Sequence, residues 1–246
     1  MGLNHGTNIG NSKLKKEITY YIDPANPRSY PGSGTNIDSL NNAVTGSLVA
    51  NAAFNNVNGG VINFDGVNDY IEIYNGTIPI ADNILVPVSN KYSILSWIRV
   101  TGGSGNRQIF GTAMNNNSTQ FALRVDGDNK LAFHLRYISG SPYYKTITGD
   151  AVLSNNVWYH VAMSWDGSNI QLYVNGSTDG SPVANTTWYG QSGNWWASIG
   201  ADKWRGNPPD SDFQGDIGPI SIFNNKSLSA QEVKQNYNAL KGRFGL

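Results

Sequence analysis

Residues 121–137 read Phe-Ala-Leu-Arg-Val-Asp-Gly-Asp-Asn-Lys-Leu-Ala-Phe-His-Leu-Arg-Tyr. Apolar residues occupy every second position on both sides of residues 126–130, which is the period of a strand with one buried face. Asp, Gly and Asn in the middle adopt turn conformations at little cost. A symmetric turn would give the following facing pairs: Val125 and Leu131, Leu123 and Phe133, and Phe121 and Leu135. The stretch therefore predicts a β-hairpin that has one face in a core.

A second stretch, residues 157–176, repeats this pattern around Asp166-Gly-Ser-Asn. The residues predicted to share its apolar face are Val157, Tyr159, Val161, Met163, Trp165, Ile170, Leu172 and Val174. Residues 61–74 predict a third hairpin, with its turn at residues 65–69. Residues 92–100 are apolar on both faces and are expected at the centre of a sheet. These patterns predict an all-β fold, an antiparallel β-sandwich.

The remaining segments predict shorter elements. Strands are expected at residues 18–22, 108–112 and 217–223, and residues 176–215 are expected to be rich in loops. Ser229 and Glu232 have the spacing of a capping box, which predicts one short C-terminal α-helix. Its apolar stripe consists of Val233, Tyr237 and Leu240, and Gly242 is expected to end it.

The chain is long enough for one large all-β domain, which we place at residues 18–246. Residues 1–17 contain several Gly and Asn residues and predict an extended N-terminal arm. Two interpretations of this arm stay open, a disordered terminus and an arm that docks on a partner protein.

The balance of charge excludes some partners. The chain has 17 basic and 17 acidic side chains, and charged residues make up only 14% of it. A broad electrostatic field that would hold nucleic acid is therefore not expected. The sequence shows no cleavable signal and no apolar run of roughly 20 residues, so membrane insertion is not expected either. Without cysteine, no disulfide and no thiolate metal site can form.

Five segments in order resemble the signatures of a known family. They are Phe64-Asp-Gly-Val-Asn-Asp-Tyr-Ile-Glu-Ile, residues 92–100, Trp158-Tyr-His-Val-Ala-Met-Ser-Trp-Asp-Gly, Gln171-Leu-Tyr-Val-Asn-Gly, and residues 213–223 followed by Leu228-Ser-Ala-Gln-Glu-Val. In this order they resemble laminin-G-like, concanavalin A-like jelly-roll domains over roughly residues 18–240. The resemblance implies two curved antiparallel sheets, which in this family often carry a calcium ion and often recognise glycans.

The two ends of the chain resemble a more specific group within this family. Asn4-His-Gly-Thr, residues 20–35 and Gly242-Arg-Phe-Gly-Leu resemble the termini of such domains in tailed-bacteriophage virion proteins. This implies a place on the surface of the phage particle, as a capsid decoration or fibre protein. The arm would then contact other virion proteins, and a homo-oligomer is compatible with that setting.

Enzymatic chemistry is not expected. Glycosidases of this fold need two closely placed carboxylates, yet the three glutamates, Glu17, Glu72 and Glu232, are far apart in the sequence. No nucleophile elbow and no nucleotide-binding motif is present. His134 and His160 fall on the polar faces of their strands, and we interpret both as structural.

Hard oxygen ligands on loops are the groups that calcium prefers. The resemblance places Asp65 and Asp69 in the family's metal-associated loop, and Asp216 follows them as a third candidate ligand. The alternative is that Asp-Gly pairs simply form turns.

A sugar site is indicated by aromatic residues in a polar, Gly-rich segment: Trp188, Tyr189, Trp195, Trp196 and Trp204. Indole faces stack on sugar rings, and packing in the core or against a neighbouring subunit is the alternative. The leading hypothesis is a non-enzymatic virion protein with a lectin-like jelly roll that binds glycans. A calcium-dependent carbohydrate-binding adhesin is the second hypothesis, and a glycoside hydrolase is the third.

Overall fold

The structure is a computed structural model that describes residues 17–41, 44–73, 85, 87, 90–114, 117–136, 144–185, 195–203 and 209–246. Within these residues no helix is both long enough and apolar enough to cross a membrane.

The described residues form sixteen strands. The first eight are β1 (Tyr20–Ile22), β2 (Asn36–Asp38), β3 (Thr45–Val49), β4 (Ala53–Asn55), β5 (Val61–Asp65), β6 (Tyr70–Ile73), β7 (Tyr92–Val100) and β8 (Arg107–Met114). The others are β9 (Asn117–Val125), β10 (Lys130–Arg136), β11 (Tyr144–Val152), β12 (Trp158–Trp165), β13 (Asn169–Val174), β14 (Ser177–Ala184), β15 (Trp195–Ile199) and β16 (Gln214–Asn224). One α-helix, α1 (Ala230–Leu240), follows them, and 3₁₀ turns lie at Val57–Gly59 and Lys241–Phe244.

The strands form two antiparallel sheets that face each other. The first sheet has the order β14-β13-β12-β7-β16-β5-β4, with β1 also paired to β16. The second sheet has the order β11-β10-β9-β8-β15-β6-β3-β2. The prediction of an antiparallel β-sandwich with one short C-terminal helix is confirmed.

The register of the opening hairpin is as predicted. In β9 and β10, Val125 lies opposite Leu131, Leu123 opposite Phe133, and Phe121 opposite Leu135. The second hairpin, β12 and β13, likewise pairs Met163 with Leu172 and Trp165 with Ile170. Both registers place the apolar residues on the inner face, because a slip by one residue would turn them outward.

The core lies between the two sheets and is rich in aromatic rings. Phe121 is fully buried, and its ring centroid lies 6.0 Å from that of Phe110 and 6.1 Å from that of Phe133. Across the interface between the sheets it meets Tyr92 edge to face at 5.5 Å. This geometry is the one that aromatic pairs prefer.

The prediction that residues 61–74 form a hairpin is wrong. β5 pairs with β16 and β4 in the first sheet, whereas β6 pairs with β15 and β3 in the second. The segment between them therefore crosses from one sheet to the other. The buried carboxylate of Asp69 fixes this crossing, because it accepts hydrogen bonds from the backbone N–H groups of Asn51 and Asp65, both at 2.7 Å.

The predicted position of residues 92–100 is confirmed, since β7 lies between β12 and β16. Two strands in residues 176–215 were not anticipated, β14 and β15. Gly180 and Pro182 obscure the pattern of β14, and a register shift opposite its middle accommodates them. The last strand, β16, also contains a register shift at Gly218 and Pro219.

Helix α1 covers the outer face of the first sheet. The capping box of Ser229 and Glu232 is formed as predicted, and Val233 is fully buried. Trp97 on β7 stacks against Tyr237 at 5.8 Å and against Phe244 at 4.2 Å. The helix thus has its apolar stripe against the sheet.

The end of the helical segment differs from the prediction. Gly242 lies inside the 3₁₀ turn Lys241–Phe244, and the residue in the left-handed conformation at its end is Gly245, with φ 75°. Either glycine could end the helical segment by its residue type. The 3₁₀ turn that continues the helix places Gly245 at the end.

We expect Phe133→Ala to destabilise the protein by about 3–5 kcal/mol, because it leaves a cavity in the aromatic core. Urea unfolding measures the change. Val152→Ala is the control, since Val152 is 60% exposed and should change the stability little. Equal losses for the two variants would contradict the packing described above.

Candidate functional site

The outer face of the second sheet carries a continuous set of polar side chains. They are the residues that alternate with core residues along the strands: Glu72, Gln108, Arg124, His134, Thr146, Trp196 and Ser198. Cross-strand pairing aligns several of them, since Ser198 lies opposite both Glu72 and Gly111, and His134 lies opposite Ala122 and Thr146. We call this surface the outer polar face.

Small residues form the centre of the outer polar face. Gly111 leaves room for the side chain of Gln108, because a Cβ atom at Gly111 would lie 2.7 Å from the Gln108 Oε1 atom. The Gln108 amide donates hydrogen bonds to the Ser198 hydroxyl at 3.3 Å and to the Ala201 carbonyl at 2.5 Å. Gln108 and Ser198 are both buried, so this centre is held rigidly.

An aromatic and basic group lies at one edge of the outer polar face, on β10 and β11. The rings of His134 and Tyr144 stack with centroids 4.9 Å apart, and the Arg136 guanidinium carbon lies 5.7 Å from the Tyr144 ring centroid. The His134 Nδ1 atom is 3.1 Å from the Thr146 hydroxyl. Tyr144 is 40% exposed, so its ring is accessible from solvent.

The charge state of His134 follows from its position. Burial, together with the positive charge of Arg124, lowers the pKa of His134 to about 4. The ring is therefore neutral at pH 7 and offers one donor and one acceptor nitrogen.

Asp202 lies near Arg124. Its backbone pairs with that of Asp210 through two hydrogen bonds, of 2.7 and 3.1 Å, so the two residues face each other directly. Burial, helped by the negative charge of Asp210, raises the pKa of Asp202 to about 7. Near neutral pH, Asp202 is therefore a mixture of the protonated and the charged form.

A polar cleft of ≈ 580 Å³ lies beside this pair. The residues that line it are Gly66, Gly103, Ser104, Asn106, Pro209, Asp210, Ser211, Asp212 and Gln214. Its volume falls in the range of small-molecule sites, and none of the described residues that line it is aromatic.

The predicted sugar-binding residues fall mostly outside the described part of the chain. Trp188, Tyr189 and Trp204 lie outside the described residues, and for Trp195 only the backbone in β15 is described. Trp196 is half-buried and lies on the outer polar face opposite Ala113. Carbohydrate binding by this set stays a prediction.

The predicted calcium ligands do not come together as one group. Asp216 lies on the outer face of the first sheet, where it is fully buried. Its Oδ2 atom accepts hydrogen bonds from Nε and Nη2 of Arg99 at 2.8 and 2.6 Å, and Oδ1 accepts one from the Asn63 amide at 2.9 Å. The carboxylate of Asp216 is therefore the ion-pair partner of the Arg99 guanidinium.

Asp65 and Asp69 do lie close together, and Asp212 lies beside them. Burial raises the pKa of Asp212, and the negative charges of Asp69 and Asp65 raise it further. Each carboxylate oxygen of Asp65 and Asp69 already accepts a hydrogen bond from within the chain. In the described part of the chain no group of three or more His, Asp or Glu side chains is arranged to hold a metal ion. The residues present thus fit a turn better than a calcium site, and calcium binding stays a prediction.

His160 occupies a different environment from His134. Its ring lies between α1 and the first sheet, 5.3 Å from the Trp97 ring and 6.0 Å from the Tyr237 ring. Burial, and the nearby charge of Lys234, lower the pKa of His160 to about 3. A neutral histidine packed beneath a helix agrees with the structural interpretation.

Sequence reasoning missed the importance of Arg124, Tyr144 and Asp202. The signal for Arg124 was present, since it is a charged residue at a polar position of a strongly alternating strand. Tyr144 and Asp202 pair with residues eight positions away, Arg136 and Asp210, and the intervening residues carry no alternating pattern that marks them.

Comparison with known proteins identifies the family. The chain matches the concanavalin A-like lectin/glucanases superfamily, in its Laminin_G_3 family, over residues 65–234. The chain belongs to this superfamily. A search of curated proteins found no significant match to this concanavalin A-like chain.

Solved structures share the concanavalin A-like fold. Domain 4 of AbnA, an extracellular GH43 arabinanase from Geobacillus stearothermophilus solved in complex with arabinotriose, has a TM-score of 0.64 at 18% identity, covering 90% of this chain and 98% of that one. Trypanosoma rangeli sialidase has a TM-score of 0.61 at 14% identity, covering 93% of this chain. This chain spans only 33% of the sialidase chain.

These neighbours require a correction. Concanavalin A-like chains of this shape form part of an arabinanase and of sialidases, which contradicts the prediction that the protein is not an enzyme. Widely spaced glutamates in the sequence were not a sufficient reason to exclude one. The comparisons do not bear on a phage particle, so that context stays a prediction.

We expect Asp216→Asn to destabilise the protein by about 2 kcal/mol, because Arg99 loses the charge of its buried partner. This loss of stability is smaller than for breaking a fully buried ion pair, since the Arg99 side chain is 29% exposed. Thermal unfolding of the parent protein and the variant, each in calcium and in EDTA, measures it. The same loss in both solutions is the expected result, with Asp128→Asn as an exposed control; a loss seen only in calcium would mean that Asp216 is a metal ligand.

The raised pKa of Asp202 makes stability depend on pH. The folded protein keeps a proton on Asp202 up to about pH 7, whereas an unperturbed aspartate loses it near 3.8. Stability from this group therefore falls as the pH rises from about 4 to about 7 and is not regained above that.

We expect the stability of Asp202→Asn, relative to the parent protein, to be higher at pH 8 than at pH 3.5. The change should be at most about 1.4 kcal/mol for each unit by which folding raises the pKa of Asp202. Urea unfolding at the two pH values measures this. An identical difference between the two proteins at both values would show that Asp202 titrates normally.

Proposed function

We propose that this chain is a carbohydrate-binding domain that holds an oligosaccharide on the outer polar face of its second sheet. The observation that carries the proposal is the exposed ring of Tyr144, fixed against His134 and Arg136 and surrounded by polar groups. One face of a pyranose or furanose ring is apolar and stacks on such a ring, while its hydroxyls need donors and acceptors nearby.

The polar groups around Tyr144 are held in place before any ligand arrives. His134 is kept between Tyr144 and Thr146. Groups fixed in this way lose little rotational freedom on binding, which favours affinity. Trp196 extends the face by a second aromatic group on β15.

The unequal covering of the two sheets also supports this choice of face. Helix α1 packs on the first sheet, with Trp97 beneath the helix. The outer polar face has no described helix against it. The face is closed at its centre, where Gln108 and Ser198 are buried, and open to solvent at Tyr144.

The AbnA domain supports a sugar as the ligand class. That domain was solved with arabinotriose, and this chain covers nearly all of it. We carry over the class of ligand, an oligosaccharide, and not the individual sugar.

A place on the surface of a phage particle is the finer form of this proposal. It rests on the resemblance of the two ends of the chain to virion proteins. Residues 1–16 lie outside the described residues, while Glu17 forms an ion pair with Lys226 at 3.3 Å. Deletion of residues 1–16, followed by a measurement of retention on particles, tests the arm as an anchor.

A glycan array of the parent protein, Tyr144→Ala and Trp196→Ala tests the proposed function. We expect binding of the parent to at least one glycan and a loss of about tenfold or more for Tyr144→Ala, which corresponds to about 1.4 kcal/mol of stacking energy. Val152→Ala, at the other end of the same strand, is the matched control.

Two results would contradict the proposal: no glycan bound by the folded parent protein, or full binding by both aromatic variants. The same array repeated in EDTA tests the calcium-dependent adhesin hypothesis. Loss of binding there would support that hypothesis, and unchanged binding would exclude it.

A further inference from the structure

We propose that the outer polar face prefers acidic oligosaccharides, which carry carboxylate groups, and that Arg124 and Arg136 bind those groups. This inference rests on the proposed function and names the ligand class of the same site. It follows from how charge is distributed over the face, how Arg124 is buried, and where Arg136 lies relative to the aromatic ring.

Charge on the outer polar face is separated into two halves. Arg124 and Arg136 lie on the adjacent strands β9 and β10, whereas Glu72 lies on β6. Three strand spacings separate β9 from β6, which is about 14 Å. This distance exceeds the screening length of about 8 Å at physiological ionic strength, so Glu72 does not neutralise the basic half.

Asp202 and Asp126 are the described acidic groups that interact with Arg124. Asp126 lies in the turn at the end of β9, where its carboxylate accepts the N–H groups of Asp128 and Lys130. Asp202 carries only part of a charge near pH 7, for the reason given above. Among the described residues, the basic half therefore keeps a net positive charge.

Arg124 is incompletely satisfied within the described part of the chain. Its Nε atom is buried and has no hydrogen-bond partner there. Burial also lowers the pKa of Arg124, which means that the surroundings penalise its charge. A ligand carboxylate beside the guanidinium would supply both an acceptor and the opposite charge, in the geometry that guanidinium groups recognise.

Arg136 couples charge recognition to ring stacking. Its guanidinium lies over the Tyr144 ring, and His134 lies between Arg136 and Ala132 on the same face of β10. A sugar ring that stacks on the exposed part of Tyr144 thus lies next to a cation. A uronic acid satisfies both groups at once, whereas a neutral sugar satisfies only the ring.

The test uses trigalacturonate and its methyl ester, which differ in charge but share one carbohydrate skeleton. Isothermal titration measures the binding of each to the parent protein, Arg124→Gln, Arg136→Gln and Arg28→Gln. Arg28 is the matched control, because it is an exposed arginine in the loop before β2, at the opposite edge of the second sheet.

We expect the acid to bind at least about tenfold more tightly than the ester, as is typical for hydrogen bonds to charged groups. The Arg124 and Arg136 variants should lose most of this preference, measured as the ratio of acid to ester affinity in each variant, while Arg28→Gln keeps it. The preference should also shrink when sodium chloride is raised from about 0.05 to about 0.3 M, since salt screens exposed charges.

The outcomes separate this inference from the proposed function. Equal binding of acid and ester, or a preference that survives both substitutions, overturns the inference and leaves carbohydrate binding intact. The inference is also overturned if the protein binds neither probe but does bind a neutral glycan on the array. If the folded protein binds no glycan of any kind, the proposed function fails, and this inference fails with it.

Discussion

The rings of Tyr92 and Phe121 meet between the two sheets, with centroids 5.5 Å apart, inside the apolar core that holds the sheets together. It requires strands from both sheets to turn their apolar residues inward. Because side chains alternate along a strand, the same requirement turns every other residue outward. The properties of the two outer faces therefore follow from the packing of the core. One outer face is covered by α1, and the other presents arginine, histidine and aromatic groups.

Sequence patterns were sufficient for the hairpins but not for the connections between the sheets. The facing pairs of β9 and β10 could be read from residues 121–137, since a short turn fixes the register. The crossing from β5 to β6 could not be read in the same way. Its Asp-Gly turn resembles that of a hairpin, and only the distant contacts of Asp69 with Asn51 show that the chain changes sheet there.

The candidate site was harder to predict, for a physical reason. Its groups come from β8, β9, β10, β11 and β15, and strand pairing, including that of β15 with the distant β8, brings them together. Tyr144 becomes an exposed platform only because β11 pairs with β10 and sets it beside His134. The tryptophans that drew attention in the sequence were chosen for composition alone, and of these only Trp196 has a described side chain. The comparison with glycoside hydrolases shows a similar limit, since spacing of glutamates along the chain does not describe what a fold is used for.

The outer face of the second sheet is the proposed ligand surface of this concanavalin A-like chain. Backbone-assigned NMR spectra recorded during a titration with arabinotriose or trigalacturonate, whichever binds, test it most directly. We expect amide shifts to change along β9, β10 and β11, with the largest changes near His134 and Tyr144, and α1 and β12 to stay unaffected. Shift changes concentrated on α1 and the first sheet, with the second sheet unaffected, would contradict it.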